Sequence, residues 1–316
     1  MLFKKSLCLL LGSVLGVGFT PPQSPVPAAS FRLSGDIQTF PLRLIDAFPF
    51  IEGSVNGQAG KLMYDTGNAG TLSLNSHLLK LPAGRSMGHG SVGSGQTYTR
   101  SQYDTIASMQ LSNGLRYAKL PGVEGNSLDF LEGITPDCIG QIGFGYTAGY
   151  ILKLDYTQRR LTCYKQTAAR RASQDFLRGE HVVAVLDIET RRRPGNVVAR
   201  VNIGGYSFLC GFDTGQQGQL YLPKAVRQAL LAKKLLVPLP VYDADSLCTI
   251  RQVDFGRGVK LDLHALNVAS TRNAAMDKAL GYTEEPNLLT VGYAFLSQFT
   301  TIWDSEANKM YLCAPR

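Results

Sequence analysis

The chain has 316 residues, a formal net charge of +8, 44% hydrophobic and 18% charged residues, and 33 glycines. That length suits two compact domains or one bilobal unit, each half long enough to bury its own core, with the apolar content of an ordinary globular protein. The positive charge forms no long tract: Arg170-Arg171 and Arg191-Arg192-Arg193 are its clusters and carry no interleaved aromatics, which favours solvated loops over nucleic-acid binding.

Residues 1–30 read as a signal peptide and a Pro-rich lead-in. Lys4 and Lys5 precede an apolar run from Leu9 to Phe19, too short to span a bilayer comfortably, and TPPQSPVPAAS follows with a cleavage region near Ala28-Ala29-Ser30. The expectation is an exported protein, periplasmic or secreted, with no stable membrane insertion once the leader is removed. Export permits disulfides. Cys138 with Cys163 would close a bridge in the first half, and two of Cys210, Cys248 and Cys313 another in the second, leaving one thiol over and the connectivity open.

Beyond the leader, strand-length apolar runs separated by Gly, Asn or Pro predict a mainly β chain. In order they are FPFIEGSV (48–55), KLMYD (61–65), TIASMQL (105–111) and YILKLDY (150–156). After a polar connector over 166–180 come VVAVLDI (182–188), NVVARVNI (196–203), YSFLCGFD (206–213), FTTIWD (299–304) and KMYLC (309–313). A hairpin turn is expected at Pro194-Gly195. Helical periodicity is clearest over Lys224–Leu236, which opens just after Pro223, and a short helical turn is expected over Asn75–Lys80. The expected lobes are 31–165 and 181–316. His77, His89, His181 and His264 are scattered and read as surface residues, and no metal-ligand spacing is present.

One tripeptide occurs twice. Asp65-Thr66-Gly67 and Asp213-Thr214-Gly215 lie 148 positions apart (213 − 65), each after a hydrophobic run that ends in an aromatic residue, Tyr64 or Phe212. Past the motif, Gly70, Leu72 and Leu74 correspond to Gly218, Leu220 and Leu222. Further on, Ile142-Gly143 stands 13 positions before Asp155, and Val291-Gly292 stands 13 before Asp304 (155 − 142, 304 − 291). Ordered anchors at nearly constant offset mark two copies of a small domain.

Two carboxylates at equivalent places suit peptide hydrolysis. Like charges a few ångströms apart cannot both ionise, so the ionised partner takes a proton from water while the protonated partner polarises the scissile carbonyl. The pair titrates as a unit, and Asp65 and Asp213 carry no separate roles at this stage. Thr66 and Thr214 are suited to hydrogen-bond across the junction, and Gly67 and Gly215 let backbone approach the carboxylates. The Ile142-Gly143 and Val291-Gly292 elements are expected to pack beneath the loops. Neither a metal nor a cofactor is required.

With these motifs the chain resembles the pepsin/retropepsin-type aspartic proteases of the bilobal single-chain kind, over roughly residues 40–316. Its length and small Gly-rich halves look closest to exported bacterial retropepsin-like proteins. The resemblance implies the acid-protease fold: two similar β-barrel-like lobes, an active-site cleft between them, and a hairpin flap. It implies an aspartic endopeptidase acting as a monomer on protein or peptide substrates. The flap would be Gly88–Asp104 with Tyr98 over the substrate, a plain surface loop being the alternative for Tyr98. The family usually has Ala, Ser or Thr after the tripeptide, whereas this chain has Asn68 and Gln216. These larger polar residues are expected to hydrogen-bond the loops, shift the titration of the dyad or narrow the cleft. The alternative function is a peptide-binding or inhibitory protein with the same fold and weak or no catalysis. Gly84-Arg85-Ser86-Met87-Gly88 fits the serine-hydrolase G-x-S-x-G pattern but lacks its strand-to-helix setting.

Overall fold

Alternating apolar residues and short Gly- or Asn-bearing turns give a chain of antiparallel hairpins, and the strand order repeats. The computed structural model describes residues 31–92, 96–191, 196–239, 247–269, 272 and 274–315. The expected leader, the expected Pro194-Gly195 turn and residues 93–95 of the expected flap lie outside the described residues. The first half carries β1 (Ile37–Pro41), β2 (Arg43–Ile45), β3 (Phe48–Val55), β4 (Gln58–Asp65), β5 (Leu72–Asn75) and β6 (Arg85–Ser91). It continues through β7 (Thr97–Leu111), β8 (Arg116–Asn126), α1 (Asp129–Glu132), β9 (Cys138–Gly143), β10 (Tyr150–Asp155) and β11 (Arg160–Lys165). After α2 (Ala168–Ser173), the second half carries β12 (Val182–Asp187), β13 (Glu189–Thr190), β14 (Val197–Ile203), β15 (Tyr206–Phe212) and β16 (Gly218–Tyr221). Then follow α3 (Lys224–Ala232), β17 (Leu236–Pro238), β18 (Leu247–Asp254), β19 (Lys260–Val268) and α4 (Ala274–Leu280). The half ends with β20 (Leu288–Val291), α5 (Tyr293–Leu296), β21 (Thr300–Asp304) and β22 (Lys309–Cys313).

The first eight-stranded sheet has the order β2-β3-β4-β9-β5-β8-β7-β6, and β3 also pairs with β7. The second runs β13-β14-β15-β20-β16-β19-β18-β17, with β14 pairing β18. These extra pairings curl each sheet toward a barrel. Element for element the two orders are the same, including the parallel pairs β4–β9 and β15–β20. A six-stranded sheet, β1-β11-β10-β21-β22-β12, joins the halves and is symmetric about the β10–β21 pair. The fold is therefore mainly β, with two similar barrel-like lobes related by internal duplication, as the acid-protease resemblance implies.

The halves share one apolar core: Tyr64, Ile142, Phe212, Val291 and Trp303 belong to the same cluster of buried side chains. The hairpins of the joining sheet turn alike. Asp155 accepts from the Gln158 N–H and Asp304 from the Ala307 N–H, and Arg159 and Asn308 take positive φ at the turn exits.

Several expectations change. The Lys224 helix stops at Ala232, because Lys234 adopts φ +54° and turns the chain so that Leu236 enters β17. Over 75–80 the expected short helical turn is present as a single turn closed by Leu79 N–H on Asn75 O at 3.0 Å. The connector folds into α2 and a 3-10 turn over Asp175–Leu177. There Arg170, expected in a solvated cluster, is buried and pairs with Asp36 and Asp175. A buried guanidinium with two carboxylates ties the start of the described chain to the junction between lobes. The expected bridges do not form: Cys138, Cys163, Cys210 and Cys248 are buried, unbridged thiols on separate strands. Burial pushes the Cys138 thiol up to about 11 and Cys248 up to about 12, so both stay neutral. Ser86 is exposed on β6 within an antiparallel hairpin, which is not the setting of a nucleophile elbow. All four histidines are exposed; His77 Nδ1 meets Glu132 at 2.8 Å.

Candidate active site

Each Asp-Thr-Gly stands at the end of an equivalent strand, β4 or β15, and the pseudo-symmetry of the lobes brings the two loops face to face. Thr66 N–H donates to Thr214 Oγ1 at 3.0 Å, and Thr214 N–H donates to Thr66 Oγ1 at 3.0 Å. Thr214 Oγ1 then donates to the Tyr64 carbonyl at 2.7 Å. Both threonines are buried, at 1% and 0% exposure, so these bonds are shielded from water and the loops are locked to each other.

The interlock places the carboxyl groups of Asp65 and Asp213 within hydrogen-bonding reach of one another. Gly67 N–H donates to Asp65 Oδ1 at 2.9 Å and to Asp213 Oδ1 at 3.1 Å. Gly215 N–H donates to Asp213 Oδ1 at 2.8 Å. A Cβ at Gly67 would lie 2.4 Å from Asp213 Oδ2, and one at Gly215 would lie 2.5 Å from Asp65 Oδ1. Any side chain at either position would push the carboxylates apart, which is the physical reason for both glycines.

Desolvation, then the charge and hydrogen bond of Asp213, hold the Asp65 carboxyl well above the usual carboxylate range. Asp213 is also raised by burial, while the Gly215 N–H, the Asp65 carboxyl and the Gly67 N–H pull it back down. Both carboxyls are raised chiefly by burial, and the pair titrates as one unit that can hold one proton between two oxygens. Such a pair offers a base for a water molecule and an acid for a carbonyl at the same place.

The Ile-Gly and Val-Gly elements lie beside the loops, in the same sheet, rather than beneath them. Ile142 and Gly143 pair in parallel with Tyr64 and Asp65, and Val291 O accepts from Asp213 N–H at 2.9 Å. A Cβ at Gly143 would lie 2.5 Å from Asn68 O, and one at Gly292 would lie 1.6 Å from Gln216 O. These glycines let the carbonyls of the Asp loops pass close by.

Asn68 and Gln216 contribute through their backbones. Asn68 N–H donates to Asp65 Oδ1 at 3.2 Å, while the Asn68 side chain folds back to accept from Gly70 N–H at 2.9 Å. Gln216 N–H donates to Asp213 O at 3.3 Å, and its carbonyl accepts from Tyr293 N–H. The expected side-chain bond thus stays within the Asn68 loop and does not reach a carboxylate. Tyr98 sits on the β6–β7 hairpin. Its ring covers Gly90, where a Cβ would come within 2.5 Å of it, and its charged neighbours are Arg100 and Glu124.

Two side chains at the site went unread in the sequence. Gln141 Nε2 donates to Asp65 Oδ2 at 3.3 Å. Gln217 Nε2, from the second lobe, donates to the Asp46 carbonyl in the β2–β3 turn of the first lobe at 3.0 Å. The available signal for Gln141 was a polar residue inside the apolar strand Cys138–Gly143; nothing local distinguished Gln217.

No family model matches the chain, and no curated protein matches it. Among solved structures, the crystal structure of basic 7S globulin from soybean is similar at a TM-score of 0.49 and 9% identity, over 88% of this chain and 95% of that one. The fold assignment accordingly rests on the repeated strand order and the paired Asp loops.

Proposed function

We propose that the protein is an aspartic endopeptidase, hydrolysing peptide bonds with water activated between Asp65 and Asp213. The observation that carries this reading is that two partly buried carboxyl groups, one from each lobe, share the Gly67 N–H as a donor, with the Gly215 N–H on the second. The ionised carboxylate accepts a proton from water, the hydroxide equivalent attacks the scissile carbonyl carbon, and the protonated carboxyl donates to the carbonyl oxygen. The tetrahedral gem-diol collapses as the amine leaves with the proton of one carboxyl while a gem-diol hydroxyl gives its proton to the other, so the acid product forms and the pair again holds one proton. The substrate class is protein or peptide, the site needs one chain only, and the protein works after export, in the periplasm or outside the cell. The flap role of Tyr98 belongs to the same proposal.

The test is digestion of a mixed peptide library from acidic to neutral pH by wild type, Asp65→Asn and Asp213→Asn, with and without pepstatin. Cleavage by wild type alone, blocked by pepstatin, is expected. Absence of wild-type cleavage at every pH, or cleavage that survives Asp213→Asn, sinks the proposal.

A further inference from the structure

We propose that Gln141 is a positioning residue for this site, its side-chain amide holding the outer oxygen of Asp65 and making the two aspartates inequivalent. The functional meaning rests on the peptidase reading; the geometry does not.

Gln141 lies on β9, paired in parallel with Met63 on β4 and antiparallel with Ser73 on β5. Strand alternation puts Met63, Asp65 and Gln141 on one face of the sheet. The Gln141 side chain runs along that face, with Nε2 3.8 Å from Met63 Sδ and 3.3 Å from Asp65 Oδ2. Gln141 is 9% exposed, and around it β9 contributes Ile139, Gly140, Ile142 and Gly143. A buried amide in such a strand is unfavourable unless it is hydrogen-bonded, and the carboxylate supplies the acceptor.

The assignment of oxygens matters. Asp65 Oδ1 already accepts from Gly67 and Asn68 N–H groups. Gln141 takes the other oxygen, so donors at both ends fix the plane of the carboxyl group. At the same register in the second lobe, opposite Gly211 of β15, stands Thr290. Its shorter side chain points toward Gly211, whose Cβ would lie 3.9 Å from Thr290 Oγ1. The long amide donor is one-sided.

A neutral N–H donor favours the ionised form of its carboxylate, opposing the burial and the Asp213 charge that raise Asp65. Among the described residues, the titratable groups interacting with the pair are Tyr64 on β4, Tyr156 after β10 and Tyr282 after α4, with Tyr293 beyond Tyr156. Burial raises the Tyr64, Tyr156 and Tyr282 phenols, so they remain neutral while the dyad titrates.

The experiment uses the full chain with carbon-13-labelled Asp carboxyls, comparing wild type with Gln141→Leu. Gln141→Met, a more adaptable shape, serves if the first variant fails to fold. The upper titration step of the dyad should move up by about one pH unit, the scale of one lost hydrogen bond to a charged group. In the peptide assay the alkaline limb of the pH profile should move up by the same amount, with kcat lowered and KM little changed. An unmoved upper step in a folded variant overturns the proposal. If wild type cleaves nothing, the peptidase reading fails while the titration still decides the role of Gln141.

Discussion

The two Asp loops have nearly the same backbone and different surroundings. Each begins after a buried aromatic residue, passes a buried Thr, and closes with an N–H of the residue after Gly on the Asp carbonyl, at 3.3 Å in both. Around that shared frame the first loop gives Asp65 two amide donors on one oxygen and Gln141 on the other. The second gives Asp213 the Gly215 N–H together with a bond from Gly67 of the opposite loop. Duplication thus supplies two equivalent positions, and the side chains of the neighbouring strands make them chemically different. The lesson is that symmetry of strand order need not mean symmetry of proton affinity.

That contrast can be broken most severely at the carboxylates. Asp65→Asn and Asp213→Asn should each lower peptide hydrolysis by about 10²–10⁴-fold or more, the range for losing a general acid or base. Equal losses in the library digest would show that the pair acts as one unit.

The supporting glycines come next. Gly292→Ala meets Gln216 O at 1.6 Å and Asp213 O at 2.6 Å, whereas Gly143→Ala meets Gly70 O at 2.3 Å. Both clashes are with backbone. We expect destabilisation of at least about 1–3 kcal/mol in urea titrations, larger at Gly292. The reverse order would show that the second loop is the more yielding one.

A finer cut separates the threonines. Thr214 Oγ1 both accepts from Thr66 N–H and donates to Tyr64 O, so Thr214→Val should cost about 1–3 kcal/mol of stability. Thr66→Val, which removes the acceptor for Thr214 N–H, should cost less, and equal costs would restore the symmetry.

The smallest effect is the pH dependence of stability. Both carboxyls are raised on folding, so the native state holds more protons than the unfolded chain above the ordinary Asp value of 3.8. The dyad's contribution is fully present below that value and is lost as pH rises through the folded-state values. The slope is at most about 1.4 kcal/mol per pH unit for one proton. Asp65→Asn and Asp213→Asn should each flatten it, because either change removes one member of the coupled pair.

Much of the fold was legible because its strands are short, rich in β-branched and aromatic residues, and bounded by turn residues, as in Phe48–Val55 and Tyr206–Phe212. Some of the strands the local pattern did not reveal have another character. β8 contains Pro121 and two glycines, and β9 reads CIGQIG, buried at every position and without alternation. Their pairing is set by contacts far along the chain: β9 lies parallel to β4, with Gln141 76 positions from Asp65. Local pattern cannot announce such partners. The cysteines show the same limit, since the expectation of export suggested bridges and the strand placement buries the thiols apart.

By itself the sequence determined the duplication, the mainly β character and the two Asp-Thr-Gly loops, because repeated spacing and local apolar pattern are properties of the chain read in order. Only the tertiary structure decided that the two carboxyls share the Gly67 N–H, that Thr66 and Thr214 interlock across 148 positions, and that Asn68 turns its side chain back onto Gly70. It also decided that Gln141 faces Asp65. These depend on distances between strands brought together by pairing and burial, and the low dielectric of that junction is what raises both aspartates.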